Sequence, residues 1–224
     1  MFDLAVFDMA GTTINDRDEV YRVLREATER EGAVYSDEQF QDFMGTEKFY
    51  AIGKLLDIGG VKRTEEIHHK AWAWFREELR RTYTENPPIP LPGIEKALAT
   101  LRENGVKVAL TTGFSREITD LILGAMGWGV GKNIDASAAG DEVKQGRPEP
   151  FLIQKVMAEL GIEDTSRVIS TGDTSADVQS ALAAGVTSVG VLTGHLSTED
   201  FEKEGAHHII DSVAVIPEII LNQA

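Results

Sequence analysis

The feature that most restricts the fold is a series of short apolar runs, each closed by a polar turn. Leu4-Ala5-Val6-Phe7 ends at Asp8, with Gly11-Thr12-Thr13 following as a turn. Val106 to Leu110 ends at Thr111-Thr112-Gly113, and Val168-Ile169-Ser170 ends at Gly172-Asp173. Ser188 to Leu192 and His208 to Ile210 read as two more. Runs this short and unbroken are strands buried on both faces. Between the runs, Ile94 to Asn104, Ser115 to Met126, Pro150 to Leu160 and Ser175 to Ala184 carry helical periodicity. Strands alternating with helices predict an α/β fold with a Rossmann-like, doubly wound parallel sheet.

One stretch breaks the alternation. Residues 16–84 show helical periodicity and no convincing strand. Ser36-Asp37-Glu38-Gln39 has capping-box spacing and predicts a helix start. From Thr64 to Thr82, the residues Ile67, Ala71, Trp74, Phe75 and Leu79 fall at helical steps. That stripe reads Trp72 and Trp74 as packing residues rather than a ligand platform. Asn86-Pro87-Pro88-Ile89-Pro90 reads as a linker or hinge. The expected organisation is a core of residues 1–15 and 85–224 with a helical cap, residues 16–84, inserted after the first strand.

At 224 residues the chain can bury a sizeable core without staples. It contains no cysteine, which removes disulfides, thiolate metal sites and thiol catalysis. The formal net charge of −15 disfavours nucleic-acid and anionic-membrane partners. It also repels anionic substrates at long range, so a phosphate-type site needs local cations. Met1 to Phe7 is too short for a signal peptide and no basic segment precedes it, so a cytoplasmic location is expected. Apolar faces left on a helical cap can pair, which leaves a homodimer open.

In open α/β sheets ligands sit at the carboxyl ends of strands. Here those ends offer Asp8, then Thr112, then Asp173 with Asp177 four residues on. Lys144-Gln145-Gly146-Arg147-Pro148 adds cations between the second and third. A carboxylate nucleophile can split one difficult displacement at phosphorus into two easier ones. Mg²⁺, held by one or two carboxylates, a backbone oxygen and waters, neutralises the attacked group. Arg147 or Lys144 can hold an anionic oxygen, Thr112 can donate to another, and the N–H groups around Gly113 and the following helix start also favour an anion. Singly, each residue has a plainer reading as a cap, a turn hydroxyl or a surface charge. Their shared position at successive strand ends argues for a site.

These residues resemble a known family. Phe7-Asp8-Met9-Ala10-Gly11-Thr12-Thr13, Thr111-Thr112-Gly113, Gly146-Arg147-Pro148 and Gly172-Asp173-Thr174-Ser175-Ala176-Asp177 resemble, in order, the four motifs of the haloacid dehalogenase superfamily. The resemblance implies an aspartyl-phosphate on Asp8, and Mg²⁺ bound by Asp8, Asp173 and the Ala10 carbonyl with Asp177 in support. Within the superfamily the chain looks most like the phosphonatase (phosphonoacetaldehyde hydrolase) branch. Phosphatases of the superfamily place a second Asp two residues after the nucleophile; here that position is Ala10. Gly-Arg-Pro-x-Pro at Gly146 to Pro150 is similar to the same branch, with Arg147 where a lysine is usual elsewhere.

Ala10 has a physical consequence. A methyl group cannot protonate an alkoxide, and general acid help is typically worth about 10²–10⁴-fold. A phosphonate expels carbon instead, which becomes feasible if the electrons flow into an adjacent iminium. In that branch a cap lysine makes the iminium with the substrate aldehyde. The candidate is Lys48 in Met44-Gly45-Thr46-Glu47-Lys48. The branch has a His three residues after this lysine, and this chain has Ala51. Lys48 therefore reads either as a Schiff-base lysine or as a substrate anchor. The corresponding functions are cleavage of a small phosphonate and hydrolysis of a small phosphomonoester such as phosphoglycolate or a sugar phosphate. A non-catalytic binding protein on the same fold is the third reading, and intact Asp8, Thr112, Arg147 and Asp173 speak against it. The pairs His68-His69 and His207-His208 point in divergent directions and predict no metal site. Gly127, Gly129 and Gly131 read as a flexible turn.

Overall fold

In a computed structural model, which describes residues 2–221, six parallel strands form the central sheet. They are β1 (Leu4–Phe7), β4 (Lys107–Thr111), β5 (Ala136–Ala138), β6 (Val168–Gly172), β7 (Thr187–Val191) and β8 (His208–Ile210). Their spatial order is β5-β4-β1-β6-β7-β8. The order therefore reverses direction between β1 and β6, the place where open α/β sheets leave a crevice for a ligand.

Alternation along β1 explains the two-sided core. Leu4 and Val6 pack on one face with Val168, Leu152, Ile153 and Val156. Ala5 and Phe7 pack on the other with Val108, Leu110, Leu98 and Ile122. Both sets are fully buried, as a period of two requires in a sheet covered on both sides. The covering helices include α5 (Ile94–Glu103), α6 (Arg116–Met126) and α10 (Ile216–Leu221) on the Phe7 side. On the Leu4 side lie α7 (Phe151–Glu159) and α8 (Ser175–Ala184), and α9 (Thr198–Glu204) packs beside α8.

Between β1 and β4 the chain forms α1 (Glu19–Glu29), α2 (Asp37–Gln41), α3 (Lys48–Ile58) and α4 (Glu65–Glu85). Ser36 caps α2 through a complete capping box with Gln39, but the helix runs only to Gln41. Thr64 caps α4 by accepting from the Ile67 amide. Val20, Leu24, Leu55 and Leu79 from these helices join the same apolar cluster as Phe7 and Leu110. Trp72 stacks on Phe75 and His68 stacks on Phe49, so both side chains pack against neighbouring rings.

The two chain crossings between the helical segment and the sheet are themselves paired. β2 (Ile14–Asn15) and β3 (Ile89–Pro90) form a two-stranded antiparallel ribbon. Asn86 to Pro90, expected as a linker or hinge, thus ends in a strand that the sequence pattern did not announce, because Pro90 cannot donate to a ladder and the run is two residues long. Arg17 ties the ribbon further by donating to the Asn86 and Pro87 carbonyls at 2.5 and 3.2 Å. Asp16 is buried at this junction and accepts from the Tyr83 hydroxyl at 2.7 Å and the Val20 amide at 3.1 Å. No helix among the described residues is long and apolar enough to cross a membrane.

Candidate active site

Three strand ends converge at the switch between β1 and β6. Asp8 follows β1, and its amide donates to the Thr171 carbonyl of β6 at 2.9 Å. Asp173 follows β6, and Asp177 lies in the first turn of α8. One carboxylate oxygen from each of Asp8, Asp173 and Asp177 lies within 4.8 Å of the others, and all three residues are buried. Gly11, at φ 83°, makes this possible: a Cβ there would collide with the Asp173 carboxylate. Thr12 donates to Asp173 at 2.8 Å, and Thr13 donates to the Asp8 carbonyl at 2.8 Å.

Arg147 enters from the loop before α7. Its Nη1 lies 2.5 Å from Asp8 Oδ1 and 2.7 Å from Asp177 Oδ1, while Nη2 donates to Thr111 Oγ1 at 2.7 Å. The planar fork suits this divergent set of acceptors better than a point charge would. Lys144 does not join it; its ammonium sits over the Phe151 ring, 4.1 Å from the centroid. The Thr112 hydroxyl accepts from the Phe114 amide at 3.2 Å. At the start of α6 the Arg116 amide donates to Asp141 at 2.8 Å.

Lys48 opens α3 and is only 4% exposed. Its amine donates to the Thr46 carbonyl at 2.7 Å. The loop carrying it rests directly on the core: a Cβ on Gly113 would strike the Thr46 carbonyl oxygen, and one on Gly146 would come within 2.7 Å of the Glu47 side chain. Backbone therefore meets backbone across this contact, and the loop lies against the turn after β4.

Electrostatics follow from burial. Desolvation raises Asp8 to about 6, against the Arg147 charge that opposes the rise. Asp173 is raised well above the usual carboxylate range by burial and by the neighbouring Asp8 and Asp177. Among the described residues Asp173 has no ion-pair partner, only the Thr12 hydroxyl. A dry cluster of hard oxygen donors with one uncompensated carboxylate fits a divalent cation such as Mg²⁺. Burial lowers Lys48 to about 8, with the Asp8 charge holding it partly up.

The chain matches the haloacid dehalogenase-like hydrolase family over residues 5–191. It belongs to that family. As a haloacid dehalogenase-like hydrolase it is 28% identical to phosphonoacetaldehyde hydrolase of Parabacteroides distasonis, over 96% of this chain and 94% of the relative. A phosphonoacetaldehyde hydrolase of Bacillus cereus is also 28% identical, over 96% of this chain and 86% of its own. Among solved structures, a phosphonoacetaldehyde hydrolase like protein from Oleispira antarctica superposes with a TM-score of 0.83 at 24% identity, covering 99% of this chain and 92% of that one. A hydrolase from Pseudomonas syringae superposes with a TM-score of 0.85 at 21% identity, covering 97% of each. Both share the fold.

The hydrolase fold thus collects Asp8, Arg147, Asp173 and Asp177 into one buried cluster, with Thr112 and Gly113 on the adjoining turn and Lys48 facing from α3. Sequence reasoning missed Thr12, Thr111, Thr174 and Tyr21. Thr174 donates to Asp177 at 2.5 Å and completes a capping box with it. Its spacing from Asp177 was a legible signal. Tyr21 carried none, since it sits in α1, outside every motif. A cavity of about 700 Å³ reaches the outer edge of Arg147, with Glu47, Tyr50 and Trp72 on its opposite wall.

Proposed function

We propose that this hydrolase cleaves the C–P bond of phosphonoacetaldehyde or a related small phosphonate through an aspartyl-phosphate on Asp8, with Mg²⁺ as cofactor. The observation that carries the reading is Lys48, a buried amine lowered to about 8 beside the Asp8 carboxylate, in a chain with a methyl group at Ala10. Each half explains the other. A carbon leaving group has no use for an acid at position 10, and it requires an electron sink that a neutral amine can build from an aldehyde. The relatives named phosphonoacetaldehyde hydrolase support the same reading.

The steps assigned to the chain are these. The Lys48 amine condenses with the aldehyde to an iminium. Arg147, already on Asp8, holds the phosphonate oxygens in line. Asp8 attacks phosphorus, the P–C electrons move into the iminium, and an enamine leaves. Water then hydrolyses the aspartyl-phosphate, with Thr112 and the Gly113 amide steadying the phosphoryl oxygens. Asp8, Asp173 and the Ala10 carbonyl would hold Mg²⁺ with support from Asp177, and the ion would supply positive charge to those oxygens. Residues 16–84 serve as the cap that brings Lys48 to this site.

The second reading, a phosphatase acting on a small phosphomonoester, draws on the hydrogen bond from the Lys48 amine to the Thr46 carbonyl, which suits a charged anchor. One experiment separates the two. Phosphate release is measured side by side from phosphonoacetaldehyde and simple phosphate esters, with borohydride trapping and mass mapping. Turnover of the phosphonate, a reduced adduct on Lys48 and loss of both in Lys48→Arg support C–P cleavage. Full activity in Lys48→Arg with no adduct installs the phosphatase reading.

A further inference from the structure

The hydroxyls around the carboxylate cluster are nearly all engaged. Thr12 gives its proton to Asp173, Thr13 to the Asp8 carbonyl and Thr174 to Asp177. Thr111 accepts from Arg147 and Thr112 from the Phe114 amide, both on the β4 side. On the opposite side stands Tyr21, in the first turn of α1. Its ring centroid lies 6.0 Å from the Lys48 Nζ. Phe40 and His195 meet the ring edge-on at centroid distances of 6.3 and 6.0 Å and fix its orientation. One edge of the side chain lines a cavity of about 450 Å³ beside Met44, while the phenol itself is buried within reach of the Asp173 and Asp8 charges. Its hydroxyl makes no hydrogen bond with any described residue.

We infer that Tyr21 is a further catalytic residue, whose phenol donates a hydrogen bond to the aldehyde oxygen of the substrate while Lys48 forms its iminium. The inference rests on the C–P cleavage reading above. Burial, together with the charges of Asp173, Asp8, Asp16 and Asp177, holds the phenol well above its usual range, so it remains a donor at any working pH.

The step balances without an outside acid. The Lys48 ammonium first releases one proton to a neighbouring carboxylate. The free amine adds to the aldehyde carbon, and the C=O π pair moves to the oxygen, which the Tyr21 O–H stabilises as negative charge develops. The nitrogen's second proton and the returned first proton then leave with that oxygen as water. The sum is ammonium plus aldehyde giving iminium plus water, and Tyr21 is unchanged. A donor aimed at a developing oxyanion is typically worth about 10²–10³-fold.

Tyr21→Phe removes the hydroxyl and keeps the ring contacts with Phe40 and His195. The expected result is a melting temperature near that of the wild type. With phosphonoacetaldehyde, kcat should fall at least about tenfold with KM within about twofold, and the rate of borohydride-trapped adduct on Lys48 should fall by the same factor. A purely structural ring leaves the trapping rate unmoved. If the wild type cleaves phosphonoacetaldehyde and Tyr21→Phe matches it in both rates, or loses only KM, the role of Tyr21 is overturned and C–P cleavage stands. If the wild type neither cleaves this substrate nor forms an adduct, the functional reading falls, and the role of Tyr21 falls with it.

Discussion

The Nη1 atom of Arg147 lies 2.5 Å from Oδ1 of Asp8, inside the sheet's switch-point crevice. The pair is nearly dry; Arg147 is 4% exposed and Asp8 7%. Burying an ion pair is costly, and it becomes tolerable when further partners satisfy both groups. Arg147 gains those partners from Asp177 and Thr111. The nucleophile is therefore oriented before any substrate arrives, by a cation that can also hold the substrate's oxygens.

Replacing that cation tests the arrangement. Arg147→Ala leaves two buried carboxylates without their shared partner and should destabilise the fold by about 3–5 kcal/mol. Arg147→Lys keeps the charge but can serve only one direction at a time. It should fold nearly as well and lose at least about tenfold in kcat/KM. Urea titrations and phosphate-release kinetics measure the two effects. Equal activity in Arg147→Lys would show that the fork geometry does not matter.

Metal binding should appear as stability. Asp8 and Asp173 have raised pKa values, so the folded site holds protons that the unfolded chain has lost. For Asp8, stability falls as pH rises from the ordinary carboxylate value of 3.8 to about 6. A bound divalent ion reverses that cost. At a hundredfold excess over its Kd, Mg²⁺ should add about 2.7 kcal/mol at pH 7. In a chain of this size that is a rise in melting temperature of roughly 5–10 °C. Asp173→Asn should abolish the rise, and EDTA should reverse it in the unaltered protein. A melting temperature indifferent to Mg²⁺ would argue that the trio binds no such ion.

The sheet and the order of the cluster were legible because burial on both faces writes itself as unbroken apolar runs. His208 to Ile210 and Ser175 to Ala184 coincide with β8 and α8. Strand β5 escaped notice because Ala136-Ser137-Ala138 is three small residues with no apolar weight. The ribbon of β2 and β3 escaped because two-residue strands have no period. Asp8 and Asp173 could be read from their strand ends. Arg147 could be read from its Gly-Arg-Pro motif, whereas the placement of Lys144 over Phe151 is set by packing that the sequence does not show. Tyr21 stayed hidden for the same reason: helical periodicity marks which face of α1 is apolar, and nothing in it says that this face meets a carboxylate cluster.

Gly113 offers a test of the contact between the Lys48 loop and the turn after β4. A methyl at this position would meet the Thr46 carbonyl at a separation that real Cβ atoms do not adopt. The backbone of Thr46 cannot retreat without moving Lys48, which donates to the same carbonyl. Gly113→Ala should thus hold the Lys48 loop off the core. The expected outcome is a fall of at least about tenfold in kcat with a loss of stability of about 1–3 kcal/mol, the usual cost of overpacking a buried contact. Calorimetry beside steady-state kinetics decides it. Wild-type kinetics in Gly113→Ala would mean that this contact is not part of the working state.

The pH dependence of adduct formation is the sharpest consequence of burying Lys48. An ordinary lysine amine, at 10.5, is almost wholly protonated at neutral pH, and an ammonium cannot attack a carbonyl. Desolvation lowers this one to about 8, so its neutral fraction climbs steeply between pH 7 and 9. The rate of borohydride-trapped adduct with phosphonoacetaldehyde should rise with pH, reach half its maximum near 8 and level off above. Stability carries the same signature. Between about 8 and 10.5 the unfolded chain holds a proton that the folded amine has released, so stability contributed by this group rises with pH through that window. Lys48→Met, which has no amine to desolvate, should remove that rise. Trapping rates across the range, set beside denaturation midpoints of the two proteins, measure both effects. An adduct rate that still climbs with full slope beyond pH 9.5 would place the amine at its ordinary value. It would also show that burial does not activate Lys48.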